Sequence, residues 1–137
     1  MSRGVSLLET MVVLVLTTTL FGGAVIGLAS VRRGLIVRAE SDRLRLLLER
    51  AYTLALTSQD SSRVEFVKDR IALWSGDNRV TSYQAARGVS LEAPPHLTDG
   101  IRFYSSHTAS PATISIRLGS TVCSLTISLR GRIRATC

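Results

Sequence analysis

Between Glu9 and Arg32 the chain carries no charged side chain, and that gap limits what its first third can fold into. Met11 to Val31 is almost wholly apolar. At about 1.5 Å of rise per residue it spans roughly 30 Å as a helix, the thickness of a bilayer core. A carboxylate at the mouth of such a helix is costly to bury, and a chain seldom keeps one there without a use for it. Ahead of Glu9 stands one basic residue, Arg3, followed by Gly4.

Two ordinary readings compete for this segment. A cleavable secretory signal has a basic start, a shorter apolar run and a small-residue cleavage site, which Gly27-Leu28-Ala29 would supply. The length of the run and the placing of Glu9 in its first turns argue against it. A plain signal anchor is the other alternative. Arg32 and Arg33 would then mark the cytoplasmic side of a simple span.

The stretch GVSLLETMVVL, residues 4–14, resembles the processing site of type IV pilins and pseudopilins, whose usual form is GFTLIELMVVL. In that family a prepilin peptidase cuts after the glycine, the new N-terminus is methylated, and the glutamate is the fifth residue of the mature chain. The resemblance implies a leader of residues 1–4, cleavage between Gly4 and Val5, and an assembly role for Glu9. Val5 stands where the family commonly has Phe, and Ser6 where it has Thr. The implied N-terminus is cytoplasmic, with Arg32 and Arg33 on the exposed face of a continuing helix.

Past Arg33 the pattern changes. Leu44, Leu47, Leu48, Ala51, Leu54 and Ala55 recur at three- and four-residue spacing, with Arg43, Arg45, Glu49 and Arg50 on the other faces. The spacing predicts one helix from about Val5 to Ser58, apolar all round at first and amphipathic afterwards. Residues 5–31 form a transmembrane or filament-core segment, 32–58 an amphipathic continuation, and 59–137 a β-rich periplasmic domain. Strands are expected at Arg63–Phe66, Ile71–Leu73, Val80–Tyr83, Val89–Leu91, Ile101–Tyr104, Ala112–Leu118, Thr121–Ser128 and Arg132–Cys137. Ser75-Gly76-Asp77-Asn78 is a turn cluster. The fold class is α+β, a long N-terminal helix packed on a small antiparallel domain.

The last segment fixes its own pairing. With Leu129-Arg130-Gly131 as a three-residue hairpin loop and Gly131 in the left-handed region, Ile127 faces Ile133, Thr126 faces Arg134 and Leu125 faces Ala135. Cys123 then faces Cys137. Apolar and polar sets separate, and a slip of one residue would mix them. Beyond a membrane segment a disulfide between these two cysteines is the natural reading.

The chain of 137 residues has a net charge of +7, and Lys68 is its one lysine among 17 basic residues. Genomic base composition accounts for that arginine bias as readily as function does. Such a balance favours anionic partners without specifying a fold. After Asp99 there is no acid, so Arg102, Arg117, Arg130, Arg132 and Arg134 are uncompensated in sequence. Several are expected to share an outward strand face, which is either a solvated surface or a phosphate-binding one. Thr126 to Arg134 also resembles the FimT/GspH branch of minor pilins and pseudopilins, where the FimT side often shows Gly-Arg-x-Arg, here Gly131 to Arg134. That resemblance implies double-stranded DNA binding in natural transformation on the FimT side, and a purely structural place in a type II secretion pseudopilus on the GspH side. Its implied partners are prepilin peptidase, other pilins or pseudopilins, and the inner membrane, with the C-terminal domain in the periplasm and the subunit assembled into a pilus or pseudopilus. An unrelated membrane-anchored periplasmic domain is the third possibility.

Nothing recommends an enzyme. No Ser/His/Asp spacing, glycine-rich phosphate loop or metal-ligand pattern stands out, and no cofactor is expected. His96 and His107 read as loop residues, Trp74 and Phe66 as core.

Overall fold

The computed structural model describes residues 6–95, 97 and 99–137, with residues 21–26 described by their backbone alone. It contains two compact units, Met1–Arg33 and Gly34–Cys137. The helix α1 runs from Leu7 to Ser58. It stops where Gln59 takes a left-handed backbone, φ 56°, the usual way a helix is turned off.

In the first unit the described side chains of the helix are exposed. Leu7, Leu8, Met11, Leu14 and Leu20 each leave more than 60% of their surface uncovered. Its threonine hydroxyls bond back to the helix. Thr17, Thr18 and Thr19 donate their hydroxyls to the carbonyls of Val13, Leu14 and Val15 at 2.9, 3.0 and 3.1 Å. That back-bonding removes the penalty a free hydroxyl would pay in an apolar setting. Among the described residues no helix is long and apolar enough to cross a membrane. The side chains of residues 21–26, inside the expected span, are not among those described.

The second unit is built on two antiparallel sheets. β1 (Ser62–Val67), β2 (Arg70–Ser75), β3 (Asn78–Gln84), β5 (Ile101–Tyr104) and β6 (Thr108–Ala109) form one, in the order β3-β2-β1-β5-β6. β4 (Ser90–Glu92), β7 (Ala112–Leu118), β8 (Thr121–Ile127) and β9 (Ile133–Thr136) form the other, in the order β4-β7-β8-β9. Val37, Leu44, Leu47, Leu48, Ala51 and Ala55 of α1 join the inward residues of both sheets in a single core. Leu54, expected with them, is only partly buried. Period-two alternation supplies the sheets' share: Val64, Ile71, Leu73, Ile101 and Phe103 from one, Ile114, Ile116, Cys123, Leu125 and Ile127 from the other. Ser62, the polar member of the inward set, donates to Ala51 O at 2.6 Å, so its burial leaves nothing unpaired.

Two sequence expectations need correction. Phe66 is partly buried against the core, but Trp74 lies on the outer face of its sheet. Ile71 and Leu73 point inward, so strand parity turns Trp74 outward. The short strand β6 was not expected at all.

Candidate functional site

The C-terminal hairpin has the anticipated register. Leu125 pairs with Ala135, Thr126 with Arg134 and Ile127 with Ile133. Cys123 and Cys137 are bonded, their Cα atoms 4.2 Å apart. The turn is held from three sides. Gly131 N donates to Ser128 O at 2.9 Å, Ser128 N to Arg132 O at 2.9 Å, and Ala109 N to Leu129 O at 2.8 Å. Gly131 has φ 72° and is buried, and a Cβ there would meet the Tyr52 ring at 2.6 Å. Tyr52 stands edge-on to Phe103 with ring centres 6.1 Å apart. The hairpin therefore rests on α1 through a residue that must be glycine on two counts.

Around this turn Arg130, Arg132 and Arg134 are all exposed. Arg132 and Arg134 are two residues apart, the spacing that returns a strand residue to the same side. Among the described residues none of the three, nor Arg117, is in a salt bridge. Arg117 shares the outer face of the four-stranded sheet with Arg134, but not its row. Arg134 faces Thr126, which faces Thr113, whereas Arg117 faces Val122 and Ser90. Two strands and four residues separate them, roughly 16 Å at ordinary sheet spacing. Glu92, opposite Ser115, lies in the row between them on this face. Arg102 does not join the strip. It sits in the five-stranded sheet because β5 pairs with β1, directly opposite Arg63, and Asp99 lies 3.6 Å from its guanidinium.

At the other end of the chain, Gly4 and Val5 lie outside the described residues. Glu9 is exposed in the first turn of α1, its N–H donating to Ser6 O at 2.9 Å. An acid there also suits the positive end of the helix dipole.

Sequence reasoning passed over a buried polar cluster where α1 meets β3. Glu40 and Ser41 are 4% and 1% exposed. Among the described residues, Glu40 Oε1, Ser41 Oγ and the Tyr83 hydroxyl find no hydrogen-bond partner in their burial. The Arg43 guanidinium lies 4.1 Å from the Tyr83 ring centre. Burial raises the Tyr83 hydroxyl well above its usual pKa of 10.0; the Glu40 carboxylate adds to the rise and Arg43 opposes it. The position was legible, since 40, 41, 44, 47 and 48 continue one helical stripe. The residue types hid it. His107, in a turn with φ 60°, has Nδ1 3.5 Å from the Tyr52 hydroxyl; His96 lies outside the described residues. Among the described residues no cluster of His, Cys, Asp or Glu is suited to a metal.

Neither a protein-family model nor a curated protein sequence matches the chain. Solved structures do. The type IV minor pilin FimU of Pseudomonas aeruginosa, in two crystal forms, matches with TM-scores of 0.63 and 0.62 at 14% and 12% identity. These alignments cover 74% and 73% of this chain and 88% and 92% of FimU. The minor pseudopilin EpsH from the type II secretion system of Vibrio cholerae matches with a TM-score of 0.53 at 18% identity, over 76% of this chain and 95% of EpsH. At such identities the likeness is one of fold: a long N-terminal helix with an antiparallel β domain of the pilin type.

Proposed function

We propose that this chain is a minor pilin or pseudopilin, cut between Gly4 and Val5 by a prepilin peptidase and methylated at Val5. It is held in the inner membrane by its apolar helix and then assembled into a pilus or pseudopilus. The observation that carries the reading is a pilin-type fold on a chain whose helix begins with Glu9 and continues without charge to Val31. Among the described residues nothing covers the exposed apolar surface of Leu7 to Leu20, which needs lipid or neighbouring subunits. In that setting Glu9 needs a cation, and the Val5 amine of a neighbouring subunit is available to it. Intact mass tests the processing. Gly4→Leu is expected to leave the four-residue leader in place, and normal cleavage of that variant would overturn the assignment. Glu9→Ala is expected to be processed and stable yet excluded from filaments.

A second activity, nonspecific binding of double-stranded DNA, is supported by the exposed trio Arg130, Arg132 and Arg134, in no salt bridge among the described residues, on a turn pinned to α1. Such a patch binds phosphates weakly, at about micromolar levels in low salt, and loses affinity steeply as salt rises. Arg132→Glu combined with Arg134→Glu is expected to abolish binding without unfolding the protein. If the parent does not bind, or the double variant binds equally well, the chain is a purely structural pseudopilin of the GspH kind.

A further inference from the structure

The outer face of the five-stranded sheet carries a row set apart from the hairpin strands, which lie in the other sheet. Arg79 on β3, Trp74 on β2, Arg63 on β1 and Arg102 on β5 are consecutive cross-strand partners. Arg63 and Arg102 are directly opposed, an arrangement that like charges resist. Their local acids do not fully occupy them. Arg63 Nη2 is 3.0 Å from Glu65, Arg102 Nη2 is 3.6 Å from Asp99, and Arg63 Nε is buried without a partner among the described residues. The Trp74 Nε1 beside them is likewise buried and unpaired, with the Arg63 guanidinium 5.7 Å from the ring centre.

This pair opens into a cavity of about 340 Å³ lined by Asp60, Ser61, Arg63, Gly76, Asp77 and Arg102, a volume in the range of small-molecule sites. Its walls are tied together. Gly76 N donates to Ser61 O at 3.0 Å, Ser61 N donates to Asp60 Oδ1 at 2.7 Å, and a Cβ on Gly76 would meet Asp60 Oδ2 at 2.5 Å. Two arginines and two aspartates therefore line one preformed hollow. With Glu65 and Asp99 also on the guanidinium groups, the acids outnumber them, so a polyanion such as nucleic acid gains no net attraction. A ligand bearing both an acid and a donor satisfies both sides.

We infer that this cavity binds a small molecule with a carboxylate and, a few bonds away, a hydrogen-bond donor, as in a uronic acid or an α-amino acid. Arg63 and Arg102 hold the carboxylate in bidentate fashion, and Asp60 and Asp77 accept from the hydroxyl or ammonium group. The inference does not depend on the filament role.

Trp74 is the chain's one tryptophan, so its fluorescence reports on the site alone. The full chain in detergent is titrated with galacturonate and, separately, with glutamate, with calorimetry run in parallel. Acetate, which lacks the donor, and inorganic phosphate serve as controls. Saturable binding of one probe, at least about tenfold tighter than acetate and phosphate, supports the site and names the source. Arg102→Gln and Asp77→Asn, the latter on an exposed turn, should each weaken it at least about tenfold. No binding of either probe by fluorescence or heat, equal binding of acetate or phosphate, or unchanged affinity in both variants overturns the inference.

Discussion

Replacing Gly131 by alanine tests whether the hairpin is held where the structure places it. Two costs add. A non-glycine residue in the left-handed region loses about 1–2 kcal/mol. The new Cβ would meet the Tyr52 ring at 2.6 Å, and overpacking of that kind costs about 1–3 kcal/mol. Tyr52 cannot retreat cheaply, because its ring is backed edge-on by the fully buried Phe103. The sum, about 2–5 kcal/mol, corresponds to a fall in Tm of at least about 8 °C for a domain of this size. The assay is urea and thermal unfolding of residues 34–137, the compact unit that contains the core. Gly131→Asn separates the two costs. Asparagine enters the left-handed region more readily than alanine but carries the same Cβ, so it should recover no more than about 1 kcal/mol. A loss under about 1 kcal/mol for alanine, or full recovery with asparagine, would refute the close packing of the turn on α1.

Other outcomes follow from the same geometry. The disulfide closes a loop of sequence separation 14, so reduction or Cys123→Ser is expected to remove about 3 kcal/mol, read as a lower unfolding midpoint in reductant. Tyr83 is held neutral by its surroundings, its folded pKa lying above the unfolded value of 10.0. The folded state therefore binds that proton more tightly, and the contribution, fully present below pH 10.0, is lost as pH rises beyond it. Tyr83→Phe should flatten the alkaline fall in stability measured by unfolding between pH 9 and 11; an unchanged profile would show that Tyr83 is not its source.

Where the sequence was legible, two periodicities made it so. The change from an all-apolar run to a three- and four-residue stripe located α1, and alternation on both sides of Gly131 set the register that joins Cys123 to Cys137. Strand order was not legible. Nothing local to Ile101–Tyr104 says that it pairs with β1 and not with β7, so the sequence does not show that Arg102 belongs to the other sheet from Arg117 and Arg134. β6 is two residues long and has no period to detect. Trp74 is different, because the information was there. Reading it by residue type made it core, whereas the parity of Ile71 and Leu73 already turned it outward.

The two arginine groups differ less in basic charge than in the acids that topology brings to them, and that difference can be inverted. At the hairpin, among the described residues, Arg130, Arg132 and Arg134 are in no salt bridge; at the cavity, Arg63 and Arg102 are paired with Glu65 and Asp99 and share the lining with Asp60 and Asp77. If acids, and not arginine geometry, decide where a polyanion goes, then Asp60→Asn with Asp77→Asn should convert the cavity into a phosphate site while ending uronate or amino-acid binding there. The measurement is DNA titration at low salt in the Arg132→Glu, Arg134→Glu background, where the hairpin is silent. Weak, salt-sensitive binding accompanied by a change in Trp74 fluorescence is expected, because Arg63, Arg79 and Arg102 then outnumber Glu65 and Asp99 along the row. Failure of DNA to bind this quadruple variant, while its unfolding curve matches the parent's, would mean that charge balance is not what separates the two surfaces.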